Sequence, residues 1–317
     1  MKTLVTGVTG FAGPYLAEHL LDAGDHVVGT SRSGAWTKAT PQRVRDNVSL
    51  LQWDIGDPAQ PSPQVIEQIR TAAPDWIFHL AALSVPRECG RDTPTEQATA
   101  VNIDGTARVL DLATKLGGNT RVLFISSSHV YAPLTEKSPP LSEDSPLAPR
   151  SAYGKTKLEA ESLVTAAGSK GLDTLTILAF QHTGPRQSTQ MMLPEWADQF
   201  ASSSTDPIKA YNCDTWIDLT DVRDVVRADR LLAERGTPGE TYNVGSGTCR
   251  RTGDILKILQ DMAGPNREIE ELNPGVHYDP VANIDRLVRT TGWQPDFSLE
   301  QTVADTWAYF KGLHTSQ

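Results

Sequence analysis

Through the first 180 or so residues, short apolar and β-branched runs alternate with longer segments whose apolar positions recur every three or four residues. The runs Thr3 to Thr6, His26 to Thr30, Val48 to Trp53, Trp76 to Leu80, Arg121 to Ser126 and Leu172 to Leu178 read as buried strands. Phe11 to Ala23, Val65 to Ala73, Glu96 to Leu116 and Ala152 to Ala167 read as amphipathic helices between them. Such alternation predicts an α/β fold, a Rossmann-type doubly wound parallel sheet whose ligand crevice opens at the carboxyl ends of the strands. Beyond about residue 180 the pattern breaks into polar loops, helices at Pro194 to Ser203, Val222 to Arg235 and Thr252 to Ala263, and short strand-like pieces near Tyr242. The expected organisation is a dinucleotide-binding domain over residues 1–180, to which later segments return, and a smaller lobe over 181–317 that mainly binds substrate. Leu134 to Pro149, rich in Pro, Ser and Glu, reads as an exposed loop.

A chain of 317 residues, 38% of them hydrophobic, can bury a proper core. The three cysteines (Cys89, Cys213, Cys249) are far apart and suit neither a disulfide framework nor a zinc site, so free thiols and no metal are expected. Met1 to Gly7 runs straight into a strand and turn, which leaves no room for a cleavable signal. No later stretch approaches the roughly 18 apolar residues of a membrane span. A cytoplasmic protein without membrane contact is the expectation. The formal net charge of −10 speaks against nucleic acid as a partner, since backbone phosphates need a basic surface.

Candidate chemistry falls at the strand ends. Thr6-Gly7-Val8-Thr9-Gly10-Phe11-Ala12-Gly13 follows the first strand and opens the first helix. Glycine there allows a tight turn and close approach to a pyrophosphate, which free amides at the helix start can bind. After the second strand, Ser31-Arg32 stands where an NAD enzyme usually carries an acid. A hydroxyl and a guanidinium suit a 2′-phosphate, favouring NADP over NAD, although Arg32 also reads as a solvated loop residue. Asp54 and Ile55 are placed to contact adenine, or Asp54 to cap a turn. Tyr153 and Lys157, four residues apart, share a helix face, and a nearby ammonium favours phenolate. Ser126 to Tyr131 adds hydroxyls at the same mouth of the sheet.

Taken together, T-G-x-x-G-x-x-G, His79-Leu80-Ala81-Ala82, Asn102, S-S-S-x-V-Y and Y-x-x-x-K resemble the extended short-chain dehydrogenases of the NAD-dependent epimerase/dehydratase family, which modify nucleotide sugars. The run Phe180 to Gln187, Asp218 to Asp224, Tyr242 to Gly247 and Gly292-Trp293-Gln294-Pro295 resemble the branch of GDP-mannose 4,6-dehydratases and GDP-4-keto-6-deoxymannose reductases. The resemblance implies an oxidoreductase acting at C4 of a nucleotide sugar. In it Tyr153 is the acid/base, Lys157 holds the nicotinamide ribose, and Ser127 orients the sugar oxygen. It adds Leu80, Ala81, Ala82, Asn102 and Phe180 to Gly7, Thr9, Gly10, Phe11 and Gly13 as cofactor contacts. Ser84, His129, Gln181, Thr183 and Asn212 become candidate substrate contacts. It also implies a homodimer formed by the helices within Glu96 to Leu116 and Ala152 to Ala167.

Three departures narrow this reading. His129 stands where the dehydratases carry a glutamate base, so simple reduction or oxidation is favoured over dehydration. The family's R-P-F-N-H appears as Leu178 to His182 and its R-D-F-T-D-V as Ile217 to Val222, so two arginines and an asparagine expected near the substrate's diphosphate or base are replaced. The stretch Asn273 to Asn283 lacks the late R-P-x-D contact. A 4-epimerase or 4,6-dehydratase is the alternative enzyme. A dinucleotide-sensing regulator is the alternative of another class, one that has no need of both Tyr153 and Lys157.

Overall fold

A computed structural model describes residues 1–117, 119–135, 138–264 and 267–315. The first half of the main sheet is built from β1 (Lys2–Thr6), α1 (Ala12–Asp22), β2 (His26–Ser31), α2 (Gln42–Asn47), β3 (Ser49–Gln52), α3 (Pro63–Ala72) and β4 (Trp76–His79). The second half follows as α4 (Glu96–Thr99), a π-helical turn (Ala100–Asp104), α5 (Gly105–Leu116), β5 (Arg121–Ser127), α6 (Ala152–Ser169) and β6 (Asp173–Ala179). The remaining chain supplies β7 (Gln181–Thr183), α7 (Met192–Ala201), β8 (Ile208–Ala210), β9 (Thr215–Asp221), α8 (Val222–Arg235), β10 (Thr241–Val244), β11 (Cys249–Arg251), α9 (Thr252–Ala263), β12 (Ile269–Glu271), β13 (His277–Tyr278), α10 (Asp285–Thr291) and α11 (Leu299–Thr315).

Seven parallel strands run in the order β3-β2-β1-β4-β5-β6-β10, so strand order reverses between β1 and β4. The crevice at that reversal is where a doubly wound sheet receives its ligand. Neighbouring residues point to opposite faces of a strand, and both faces are covered. Val5, Phe78, Leu123 and Ile177 pack with Leu16, Val225, Leu232 and Trp293 on one face. Their chain neighbours Leu4, Ile77, Val122 and Phe124 pack with Ile69, Val109, Ala160 and Val164 on the other. A second core joins α7, α9 and α11 to β8 and β9 through Leu193, Trp196, Ile208, Ile217, Leu256 and Val303.

Three elements differ from the sequence reading. The strand near Tyr242, β10, is the seventh strand of the main sheet and pairs Thr241 to Val244 with Thr176 to Ala179. Its pattern is too short to reveal a partner 65 residues away (241 minus 176). The single helix read over Glu96 to Leu116 widens into a π turn, which carries Asn102 inward. The stretch Leu134 to Pro149 is not simply exposed. Leu141 is buried with Tyr131, Leu178, Phe180 and Ala282, and the Glu143 carboxylate accepts from the Asn243 amide at 2.9 Å. Glu136 and Lys137 of that stretch lie outside the described residues. No described helix is long and apolar enough to cross a membrane. Among the described residues no group of three or more His, Cys, Asp or Glu could hold a metal ion, and the three cysteines are unpaired.

Candidate active site

The turn after β1 is built on glycine for steric reasons. Gly7 has φ +71°, and a Cβ there would stand 2.8 Å from the Ala81 backbone. A Cβ at Gly13 would stand 2.6 Å from the carbonyl oxygens of Gly7 and Val8. The Gly10 amide closes the turn on the Gly7 carbonyl at 2.9 Å. α1 then begins with no side-chain cap and no acid in its first turn. Its leading amides and the positive end of its dipole are therefore available to an anion. A cradle with no room for side chains, floored by free amides, fits the pyrophosphate of a dinucleotide. Phe11 lies over this mouth, stacked on His182 with ring centroids 5.9 Å apart.

His79 locks the same mouth from below. Thr106 Oγ1 donates to the Asn102 carbonyl at 2.7 Å, so it accepts from His79 Nε2 at 3.0 Å. His79 Nδ1 is then the acceptor for the Thr6 hydroxyl at 2.8 Å, and Thr6 Oγ1 accepts from the Ala81 amide at 3.3 Å. Burial pushes the His79 imidazole down to about 3, consistent with this neutral tautomer. Leu80, Ala81 and Ala82 leave the sheet here, partly exposed beside Gly7.

At the end of β2, Ser31 is buried and its hydroxyl accepts from the Gly34 amide at 3.1 Å. Arg32 is exposed, and its guanidinium is engaged by no described residue. The neighbouring Thr30 hydroxyl is buried without a partner. Asp54 caps a turn through the Gly56 amide at 3.0 Å, leaving its second oxygen free of described partners. Ile55 is buried under α5, its carbonyl bonded by Arg108.

Ser127 ends β5, while Tyr153 and Lys157 sit one turn apart on α6, whose N-cap Ser151 accepts from the Gly154 amide at 3.1 Å. All three are buried, the Ser127 side chain favours the ionised form of the phenol, and Lys157 Nζ donates to the Ile125 carbonyl at 2.8 Å. Asn102 braces this helix. Its carboxamide donates to Thr156 Oγ1 at 3.0 Å and bridges both backbone groups of Leu83, accepting at 2.8 Å and donating at 3.1 Å. Thr156 in turn donates to the Tyr153 carbonyl at 2.8 Å.

The electrostatics depart from the sequence expectation that Lys157 draws the phenol down. Burial dominates and pushes Tyr153 up to about 12, opposed by Ser127. The same burial brings Lys157 down to about 8. Glu161, one further turn along α6, accepts from Ser126 Oγ, is pushed up to about 7 by burial, and favours the charged lysine. Sequence reading passed over Glu161, although the i, i+4 spacing from Lys157 was visible. The alkaline limb of kcat/KM reports the free enzyme, so it is expected to fall as pH rises through about 8, where Lys157 loses its charge. A limb flat to about pH 10, the ordinary lysine range, would remove Lys157 from that role.

His129 meets the Tyr153 ring edge-on, centroids 5.5 Å apart at 73°. Although His129 is exposed, desolvation holds its imidazole below the usual histidine range, with Asp279 opposing. Gln181 Nε2 donates to Asp279 Oδ2 at 2.6 Å, which brings Asp279, absent from the sequence reading, to this side of the crevice. Phe180 is buried with its amide on the Val244 carbonyl, and Thr183 is buried with its hydroxyl donating to Gln187 at 2.7 Å. Ser84 is exposed on the loop after β4. Asn212 is committed elsewhere: its amide donates to the Asn273 and Gly275 carbonyls at 2.7 and 2.8 Å, and its oxygen accepts from Asp214 and Thr215.

The pattern of the NAD dependent epimerase/dehydratase family matches residues 3–245. The chain belongs to that family. A UDP-glucose 4-epimerase of Mycolicibacterium smegmatis is 30% identical over 321 residues, covering 98% of this chain and 99% of the relative. A GDP-6-deoxy-D-mannose reductase of Pseudomonas aeruginosa is 27% identical over 311 residues, covering 95% of this chain and 94% of its own. The structure of RMD from Pseudomonas aeruginosa complexed with NADPH has a TM-score of 0.81 at 26% identity, covering 98% of this chain and 100% of that one. This family member is thus an NAD(P)-dependent enzyme whose relatives are epimerases, dehydratases and reductases of nucleotide sugars.

Proposed function

We propose that this family member is an NADP-dependent reductase of a nucleotide-linked 4-keto sugar, acting at C4 as a GDP-4-keto-6-deoxymannose reductase does. The observation that carries the reading is the burial of the Tyr153 phenol beside the end of β5, which favours its protonated form, with an imidazole at His129 against its ring where dehydration needs a carboxylate. A phenol that keeps its proton at neutral pH suits the direction in which an alkoxide must be quenched. Tyr153 donates that proton to the C4 oxygen, Ser127 orients the oxygen, and Lys157 holds ribose hydroxyls and stabilises the phenolate left behind. The glycine turn and the leading amides of α1 would hold the pyrophosphate of a dinucleotide whose nicotinamide, when bound, would supply the hydride. The likeness to the GDP-6-deoxy-D-mannose reductase supports the substrate class.

The test is an absorbance assay with NADPH and GDP-4-keto-6-deoxymannose. Stoichiometric loss of NADPH with formation of the 6-deoxy sugar is the expected result. A 4-epimerase, favoured by the 30% identical relative, would interconvert UDP-hexoses without net change in cofactor. The NADP preference rests on the unengaged Arg32 guanidinium and the buried Ser31 at the end of β2. Arg32→Ala is expected to weaken NADPH binding about tenfold, the worth of roughly one charge-assisted contact, while leaving NADH binding within about twofold. Equal loss for both cofactors in a calorimetric titration would count against a 2′-phosphate contact.

A further inference from the structure

We propose that Asp279 is a specificity-determining residue of the crevice, a carboxylate that selects sugars offering hydroxyl donors and rejects sugars bearing their own carboxylate near the reacting carbon. The inference rests on the reading of the substrate as a nucleotide sugar and narrows its class to neutral hexoses.

The placement follows from sheet register. Ser127 and Ala179 are partners at the ends of the adjacent parallel strands β5 and β6. From there each chain runs two residues onward, one to His129 in a 3-10 turn and the other to Gln181 in β7, so both positions lie just past the carboxyl ends of neighbouring strands. His129 marks the catalytic side through its edge contact with Tyr153. Gln181, at the start of β7 just past β6, grips Asp279 Oδ2 at 2.6 Å. Asp279 itself arrives from β13 with its amide bonded to the Trp216 carbonyl on β9 at 2.9 Å, so its backbone is anchored to the second lobe. The carboxylate thus spans from that lobe towards the imidazole that touches Tyr153.

Two features give it a task beyond holding Gln181. Its other oxygen, Oδ1, accepts no hydrogen bond from a described residue, and no described Lys or Arg lies within ion-pair distance of it. It is only half-buried, and its charge is felt at His129. A carboxylate with no described cation beside it and an oxygen free of described donors rewards a hydroxyl with a charge-assisted bond. The same group sets like charge against a hexuronic acid, which is discrimination by repulsion as well as attraction. Asparagine in its place would keep the shape and lose the charge.

The experiment is calorimetric binding to the full chain saturated with NADP, using GDP-mannose against GDP-mannuronic acid and UDP-glucose against UDP-glucuronic acid. Wild type is expected to bind the neutral member of at least one pair about tenfold or more tightly, and Asp279→Asn to reduce that gap to about threefold or less, tenfold being 1.4 kcal/mol. Melting with NADP confirms that the isosteric variant is folded. Equal binding of both members, preference for the acid, or a gap unchanged in the variant would overturn the role of Asp279 and leave the nucleotide-sugar reading standing. Binding of NADP with no binding of any of the four would overturn both.

Discussion

Replacing Tyr153 by Phe is expected to lower kcat by about 10²- to 10⁴-fold, the usual span of general acid–base catalysis, while NADP binding stays within about threefold of wild type. The hydroxyl is the only group removed, and it sits on α6 past the end of β5, apart from the glycine turn between β1 and α1. The ring remains to pack against Cys89, Ala98, Ala152 and the edge of His129. Single-turnover reduction under saturating cofactor, paired with calorimetric NADP titration, separates the two effects. A variant that turns over at the wild-type rate would remove Tyr153 from proton transfer. One that fails to bind NADP would show instead that the phenol shapes the cofactor site.

Asp218→Ala is expected to destabilise the fold by about 3–5 kcal/mol, the cost of leaving several buried donors without their acceptor. Asp218 is fully buried on β9. One oxygen accepts from the Ser246 amide and hydroxyl at 2.8 and 2.6 Å. The other accepts from the Gly247 and Ala282 amides, both at 3.0 Å. Ser246 and Gly247 closely follow β10 of the main sheet, so this carboxylate ties β9 to the end of that sheet. Alanine would leave buried donors unpaired, each worth about 1–3 kcal/mol. Urea denaturation should show a lower midpoint with an unchanged slope. A loss below about 1 kcal/mol would mean that water replaces the carboxylate and that the rim is more open than its burial indicates.

Much of the scaffold could be read from local pattern. Alternation of short apolar runs and amphipathic segments marks β1 to β6 and the helices α1, α3, α5 and α6, though not the short α2, because a strand buried on both faces must be apolar throughout and a covering helix only on one stripe. The same holds for chemistry set by neighbours in sequence. Gly7, Gly10 and Gly13 mark a turn where side chains do not fit, and the spacing of Tyr153 and Lys157 places them on one face of a helix wherever that helix packs. What local pattern could not supply is burial and partnership across the chain. The direction of the Tyr153 shift depends on how completely the protein encloses the phenol, a property of the whole fold and not of the lysine four residues on. Asn102 acts through a π turn that brings it to Leu83 and Thr156, 19 and 54 residues distant. Gln181 finds Asp279 98 residues later, and β10 finds its place beside β6 only once α8 has crossed the sheet. Periodicity records which face of an element is apolar and nothing about which partner covers it, so sequence alone determined the first six strands, the glycine turn and the Tyr–Lys pair, whereas the burial of charged groups and the pairing of residues far apart in the chain were decided by tertiary contact.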